Sequence, residues 1–215
     1  MVSVDNTQYR PERSVFDNCA IFSTGETVYK QDAFSDTAYY VQKGYLKIYR
    51  VGAKGQQQII RVAKEGDIIG YHSQLTQEPE YAACECMVNS VLCQMSGSSL
   101  SDYLKTKNDL AASLLRLTCD EIKSTCDSIV EISQNSVRSR MANLIVKLMD
   151  VFKLSEGESF PFKISRDDMA SWVGTSKESV SRALNDFNRE RLISLSTKGF
   201  VVENLQGIKK VIIVS

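Results

Sequence analysis

The sequence predicts an α+β chain in which an antiparallel β-roll comes first, a long helix follows, and a smaller helical domain with a hairpin comes last. Three observations carry that expectation. Residues 15 to 95 hold short β-branched and aromatic runs punctuated by glycine. From about Asn108 to Gln134 the apolar period becomes helical, with no Pro or Gly to interrupt it. Between Lys163 and Leu192 two helix-start signals flank a single glycine. At 215 residues the chain is long enough for two cores. The expected domains are 1–134, with the long helix at about 108–134, and 135–215.

Within the first domain, Tyr45-Leu-Lys-Ile-Tyr-Arg-Val51 alternates its faces as a strand does. Gly52 to Gly55 makes a turn and Gln58-Ile-Ile-Arg-Val62 returns. Glu65-Gly66-Asp67 turns again before Ile68-Ile69-Gly70. Short strands at this spacing predict a small antiparallel roll or barrel. Cys84 and Cys86 alternate on an expected strand and so share one face, with Cys93 further on. Their spacing matches no zinc or iron–sulfur pattern, and free cysteine is among the most buried residue types, so these thiols read as core.

In the long helix, Leu115, Cys119, Ile122, Cys126 and Ile129 step by 4, 3, 4 and 3, a seam suited to a two-helix coiled coil. Cys119 and Cys126 lie two turns apart, about 10 Å, too far for a disulfide within the helix. Gln134-Asn135-Ser136 reads as the hinge into the second domain.

There, Met141, Leu144, Ile145, Leu148 and Met149 define one face of a helix from Arg138 to Val151. Ser165 followed by Asp168 has the form of a capping box, and Thr175 followed by Glu178 repeats it. Gly174 stops the first of the two short helices. Met169, Trp172 and Val173 form its apolar face, and Val180, Leu184 and Phe187 form that of the second. Lys177, Glu178, Ser181, Arg182 and Asn185 are left exposed. A short second helix with polar and basic side chains near its N-terminus has what major-groove reading needs. The stretch is a candidate helix-turn-helix. Taken alone, Glu178 and Arg182 also read as a surface i, i+4 ion pair of roughly 0.3–0.5 kcal/mol. Leu192–Leu195 and Phe200–Glu203 flank Ser-Thr-Lys-Gly as a hairpin. The run Ile208–Val214 adds a short element of undetermined type.

The chain is neutral, but residues 136–215 carry 13 Lys/Arg against 9 Asp/Glu and residues 1–135 carry 13 against 17. The basic second half marks where an anionic partner docks. The N-terminus MVSVDNTQYRPERS is no secretory signal. No apolar run approaches the roughly 18–20 residues needed to span a membrane. Six cysteines without a signal sequence point to a reducing compartment, so a cytoplasmic protein is expected. Walker A, nucleophile-elbow and H-E-x-x-H patterns are absent, and one histidine is too few for a metal-dependent cupin, so no enzyme is expected.

The stretch Lys163–Leu192 resembles the DNA-binding domain of the cyclic-AMP receptor protein and fumarate-nitrate regulator (CRP/FNR) family. Within it, G-T-S-K-E-S-V-S-R-A-L is similar to the family's recognition-helix signature. GETVYKQD, YYVQKGYLKIYR and KEGDIIG resemble the family's cyclic-nucleotide-binding β-roll, so the resemblance runs from about Phe22 to about Leu205. Asp32-Ala33 departs from it where the family often turns through a Gly. The resemblance implies a winged helix-turn-helix, the hairpin being the wing, and a homodimer joined along Leu115, Cys119, Ile122, Cys126 and Ile129. The family's base-reading positions map onto Glu178, Ser181 and Arg182, with Lys177 and Ser179 beside them. Ser165, Thr175 and Lys198 are the further candidates for the DNA backbone. Glu-x-x-Ser-Arg is closer to the fumarate-nitrate branch than to the cyclic-AMP branch, which has Gly where Ser181 stands. The implied partners are double-stranded DNA bearing an inverted repeat with half-sites like TTGAT or TGTGA, and RNA polymerase, with no membrane.

In this fold the ligand pocket follows Gly70. Cyclic-AMP binders of the family carry a Glu shortly after that Gly, and an Arg followed by Ser or Thr. Here those positions are Tyr71, Tyr81 and Ala82, with Thr125 a further contact position. A buried phosphate without its cation loses roughly 2–5 kcal/mol, so cyclic AMP is not expected. The tyrosines read as filling the space or lining a pocket for another ligand. The fumarate-nitrate branch groups its iron–sulfur thiolates near the N-terminus, where only Cys19 precedes residue 84, so no such cluster is expected. His72, an exposed loop residue near the pocket, leaves haem open. No other cofactor is expected. Across a two-fold axis, Cys119 and Cys126 are either small seam residues or an intersubunit disulfide. The competing reading is a ligand- or redox-sensing module whose helix-turn-helix serves protein contact, which salt dependence of duplex binding separates.

Overall fold

A computed structural model gives the fold and describes residues 16–95, 100, 104, 105 and 108–213. Two compact units, Met1–Lys123 and Ser124–Ser215, divide the chain.

The first unit is an antiparallel roll of two four-stranded sheets. One holds β1 (Phe16–Phe22), β8 (Ser90–Met95), β3 (Tyr39–Lys43) and β6 (Ile68–Ile69) in that order. The other holds β2 (Thr27–Tyr29), β7 (Ala83–Cys86), β4 (Tyr45–Val51) and β5 (Gln57–Lys64). Period-2 alternation turns Leu46 and Ile48 of β4 inward, opposite Ala63 and Arg61 of β5. With Val41, Ile69, Cys84 and Leu92 they form the core of the roll. Two glycines make corners that no other residue fits easily. A Cβ on Gly44, at φ 122°, would lie 2.1 Å from Ser90 Oγ. Gly70, at φ 69°, lies where the chain leaves β6 for a short helix α1 (His72–Thr76), and Tyr71 follows as the N-cap. The turn that the family often makes with Gly is made here by Asp32 at φ 61°, a conformation Asp tolerates.

One feature of the roll overturns the expectation of six reduced thiols. The β1–β8 register sets Cys19 opposite Cys93, and a disulfide joins them. Strand pairing brings together residues that are 74 apart in sequence, which spacing alone does not reveal. Cys84, Cys86, Cys119 and Cys126 are free, the first two buried.

Helix α2 (Asn108–Gln134) begins in the first unit and ends in the second. Leu114 and Leu117 pack with Ala38, Ile68 and Leu100 of the first unit.

In the second unit, Ser136 accepts from Ser139 N and starts α3 (Val137–Phe152). Its buried stripe, including Met141, Ile145 and Leu148, carries α4 (Arg166–Val173) and α5 (Lys177–Arg189). Phe152 and Phe160 stack edge to face at 5.8 Å, and Phe160 stacks in the same way at 4.9 Å on Phe200 of the hairpin formed by β9 (Ile193–Ser196) and β10 (Gly199–Val202). The undetermined final run is helical within α6 (Leu205–Ile213), and its last residue, Val214, lies outside the described residues. Asn204 Oδ1 accepts from Gly207 N at 2.7 Å as a cap, and buried Ile208 seats the helix on α3.

Candidate nucleic-acid interface and effector site

The helix-turn-helix is built by caps and a glycine. Ser165 Oγ accepts from Asp168 N at 2.9 Å and starts α4. Gly174 ends it at φ 67°, where its N–H and that of Thr175 both reach Ala170 O. That shared acceptor keeps Thr175 in the turn. The cap of α5 is therefore Ser176, which accepts from Ser179 N at 3.3 Å, and not Thr175 as the repeated motif suggests. Glu178 consequently sits one position nearer the helix start than a capping box would place it.

Val180, Ala183, Leu184 and Phe187 bury one face of α5. Lys177, Glu178 and Arg182 stand exposed on the other, with Ser179 and Ser181 half-buried between them. Arg182 Nη2 donates to Ser179 Oγ at 3.2 Å rather than to the Glu178 carboxylate. Its own backbone N–H first, then the Ser176 hydroxyl, hold the Glu178 carboxyl below its ordinary value, and Lys177 and Arg182 add less. The helix thus offers an anionic acceptor and a forked cationic donor one turn apart. Beside it opens a cleft of about 380 Å³ lined by Lys163, Ser165, Arg166, Asp167, Lys177 and Thr197. Lys177 Nζ lies 2.8 Å from Asp167 Oδ2, an exposed pair of the kind that exchanges easily. Lys198 is exposed in the turn between β9 and β10.

In the β-roll, Tyr71 and Tyr81 converge on a residue that the sequence reading missed. Their hydroxyls donate to Glu121 Oε2 of α2 at 3.3 and 3.5 Å. Glu121 Oε1 lies 2.6 Å from Arg61 Nε, and these two side chains expose only 16 and 15% of their area. Arg61 Nη1 also lies 3.4 Å from Asp67 Oδ2, which accepts from Lys64 N at 3.0 Å. Burial raises the pKa of both tyrosines, that of Tyr81 to about 12, and the Glu121 charge adds to it, so both stay protonated donors. Burial works against the Arg61 charge, but Glu121 and Asp67 more than offset it.

Signals for these residues exist in the chain. Arg61 is a lone cation in the run Ile59–Ala63, in register with inward-facing Ile48. Glu121 continues the inward face of α2 after Leu114 and Leu117. Of the other pocket candidates, Ala82 is buried, and Thr125 lies one turn beyond Glu121 on an exposed stretch of α2. His72 corrects its description as an exposed loop residue. It is half-buried at the start of α1, its ring edge-on to Tyr81 with centroids 5.1 Å apart.

All five seam positions lie on the outer side of α2. Leu115, Ile122 and Ile129 expose 66, 59 and 63% of their area, and Cys119 and Cys126 are exposed with them. Among the described residues no group of three or more His, Cys, Asp or Glu is placed to hold a metal ion. Burial pushes the thiols of Cys84 and Cys86 up, the latter to about 11.

Residues 20–107 match the family model of the cyclic nucleotide-binding domain, and residues 139–211 match that of the Crp-like helix-turn-helix domain. The fumarate and nitrate reduction regulatory protein of Yersinia pestis is 25% identical over 187 residues, which cover 86% of this chain and 74% of that protein. The anaerobic regulatory protein of Haemophilus influenzae is 24% identical over 185 residues, covering 85% and 72%. The structure of FixK2 from Bradyrhizobium japonicum has a TM-score of 0.79 at 20% identity, covering 90% of this chain and 96% of that one.

The chain belongs to the CRP/FNR family. It is a CRP/FNR-type transcription regulator with a helix-turn-helix DNA-binding domain, and its relatives are regulators rather than enzymes. CRP/FNR regulators bind DNA and act as dimers. No helix among the described residues is long and apolar enough to cross a membrane.

Proposed function

We propose that this CRP/FNR regulator is a cytoplasmic homodimer that binds an inverted repeat in double-stranded DNA and does so without cyclic AMP or an iron–sulfur cluster. The observation that carries this reading is the first two turns of α5. Acidic Glu178 and basic Arg182 stand in solvent there, on a helix whose other face is locked into an apolar core. Arg182 donates two hydrogen bonds to a guanine edge, and Glu178 accepts from the amino group of a cytosine or adenine. Contacts of this kind carry about 1–3 kcal/mol of discrimination each. Ser181 completes the base-reading set. Lys177, released from Asp167, and Lys198 contact phosphate, with Ser165, Thr175 and Ser179 as lesser backbone contacts.

Residues 1–134 form the effector domain with its dimer helix, and 135–215 the DNA-binding domain. The exposed apolar seam of α2 supports the second copy, since an uncovered stripe of this length on a helix is otherwise unfavourable in water. A two-fold dimer reads half-sites one helical turn apart. Tyr81 and Ala82, standing where a phosphate-binding Arg and Ser would, support the exclusion of cyclic AMP. RNA polymerase is the downstream partner that the family implies.

Fluorescence anisotropy of fully reduced, ligand-free protein with a duplex carrying inverted TTGAT- or TGTGA-like half-sites tests the reading. Tight, salt-sensitive binding is expected, with Arg182→Ala losing discrimination as well as affinity. Equal losses on specific and random duplexes would remove Arg182 from base reading.

A further inference from the structure

We propose that Glu121 is a built-in ligand of the β-roll, its carboxylate filling the anion position of the effector site so that DNA binding needs no small anionic effector. Three separate elements converge on this one group: the Arg61 guanidinium of β5 as an ion pair at 2.6 Å, and the hydroxyls of Tyr71 from the start of α1 and Tyr81 from the segment before β7 as hydrogen-bond donors. Such a set is what a small carboxylate or a phosphate monoester would require, a cation with phenol donors around it. Here Oε2 accepts from both tyrosines and Oε1 faces the Arg61 charge, and both charges are largely out of water.

An external anion would have to share Arg61 with Glu121 and Asp67, three negative charges on one guanidinium in a low-dielectric interior. That arrangement is strongly unfavourable, so the intact site excludes such ligands. Glu121 belongs to α2, and the residue after it, Ile122, is part of the exposed seam. Seating the carboxylate therefore fixes where the seam lies on the roll. In this protein a side chain holds the helix that an effector would otherwise have to hold.

The test uses the full-length protein, the Glu121→Ala variant and a Tyr71→Phe/Tyr81→Phe double variant. Sodium acetate, the equivalent of the group that Glu121→Ala removes, is the probe, with sodium chloride as the ionic-strength control. Wild-type protein is expected to show no acetate-specific change in Tm or in DNA affinity. Glu121→Ala is expected to lose about ten-fold in specific DNA affinity, to regain it in millimolar acetate, and to gain Tm in acetate alone.

Three results would overturn the proposal: undiminished DNA affinity in Glu121→Ala, a loss that acetate does not repair, or a wild type that itself responds to acetate. Should Glu121→Ala fail to fold by circular dichroism, the double variant decides. A loss of about five-fold supports the proposal, and wild-type affinity refutes it. The acetate-dependent Tm stands apart from the DNA reading, so a wrong half-site or a failed duplex does not imitate failure of the built-in ligand.

Discussion

The β-roll and the helix-turn-helix place their charges in opposite ways. In the roll, Arg61, Asp67 and Glu121 turn inward and pair their charges among tyrosine hydroxyls. In the helix-turn-helix the interior is apolar from Met141 to Phe200, and Lys177, Glu178, Arg182 and Lys198 stand in water. A charge taken out of water costs several kcal/mol and must be paired within the chain. A hydrated charge is held weakly by its neighbours and stays available to another molecule. The same residue types are therefore internal scaffolding in one unit and a recognition surface in the other, and burial is what separates the two roles.

The comparison breaks most directly at Arg61. Arg61→Ala leaves two carboxylates facing each other in the roll and should cost about 3–5 kcal/mol, read as a drop in denaturant midpoint. Replacing Arg61 and Glu121 together by Met should recover most of that loss. An unchanged midpoint in the single variant would mean that the buried charges are not interdependent. Next in size is the Cys19–Cys93 disulfide, which ties β1 to β8 in the roll alone. Reduction, or Cys19→Ser with Cys93→Ser, should remove about 2–4 kcal/mol from the unfolding of the roll. The helix-turn-helix transition should stay in place. A shift of both transitions together would show that the units unfold as one.

Arg182→Ala sharpens the other side of the comparison. Its stability should stay within about 0.5 kcal/mol of wild type, while about 1–3 kcal/mol of preference for the specific duplex over a random one disappears. Any large fall in thermal stability would make Arg182 a structural residue. The smallest effect separates two neighbouring hydroxyls. Ser176→Ala should destabilise the second unit by about 1 kcal/mol through loss of the α5 cap, and Thr175→Ala should do less. The reverse order in chemical denaturation would restore Thr175 as the cap.

Legibility followed the range of the interaction. The stripe Val180, Leu184 and Phe187 and the exposed apolar stripe of α2 repeat at helical spacing, and the stop at Gly174 is a single local signal, so a window of about fifteen residues contains each of them. The Ser176 cap was misplaced by one because Thr175 N is claimed by Ala170 O, a bond invisible in the motif. Arg61 and Glu121 stand 60 positions apart and Cys19 and Cys93 stand 74 apart, and neither pairing has any local signature.

Periodicity, turn chemistry and caps are properties of neighbours along the chain, and from them the sequence by itself determined a strand-rich first part, a long seamed helix and a helix-turn-helix. Only the tertiary structure decided which charges meet, that Tyr71 and Tyr81 share the carboxylate of Glu121, and that one pair of thiols is joined. The physical reason is that strand register and the seating of α2 are set by the burial of whole faces at once. The partners of a buried charge or a thiol are then assigned by that packing rather than by anything beside them in sequence.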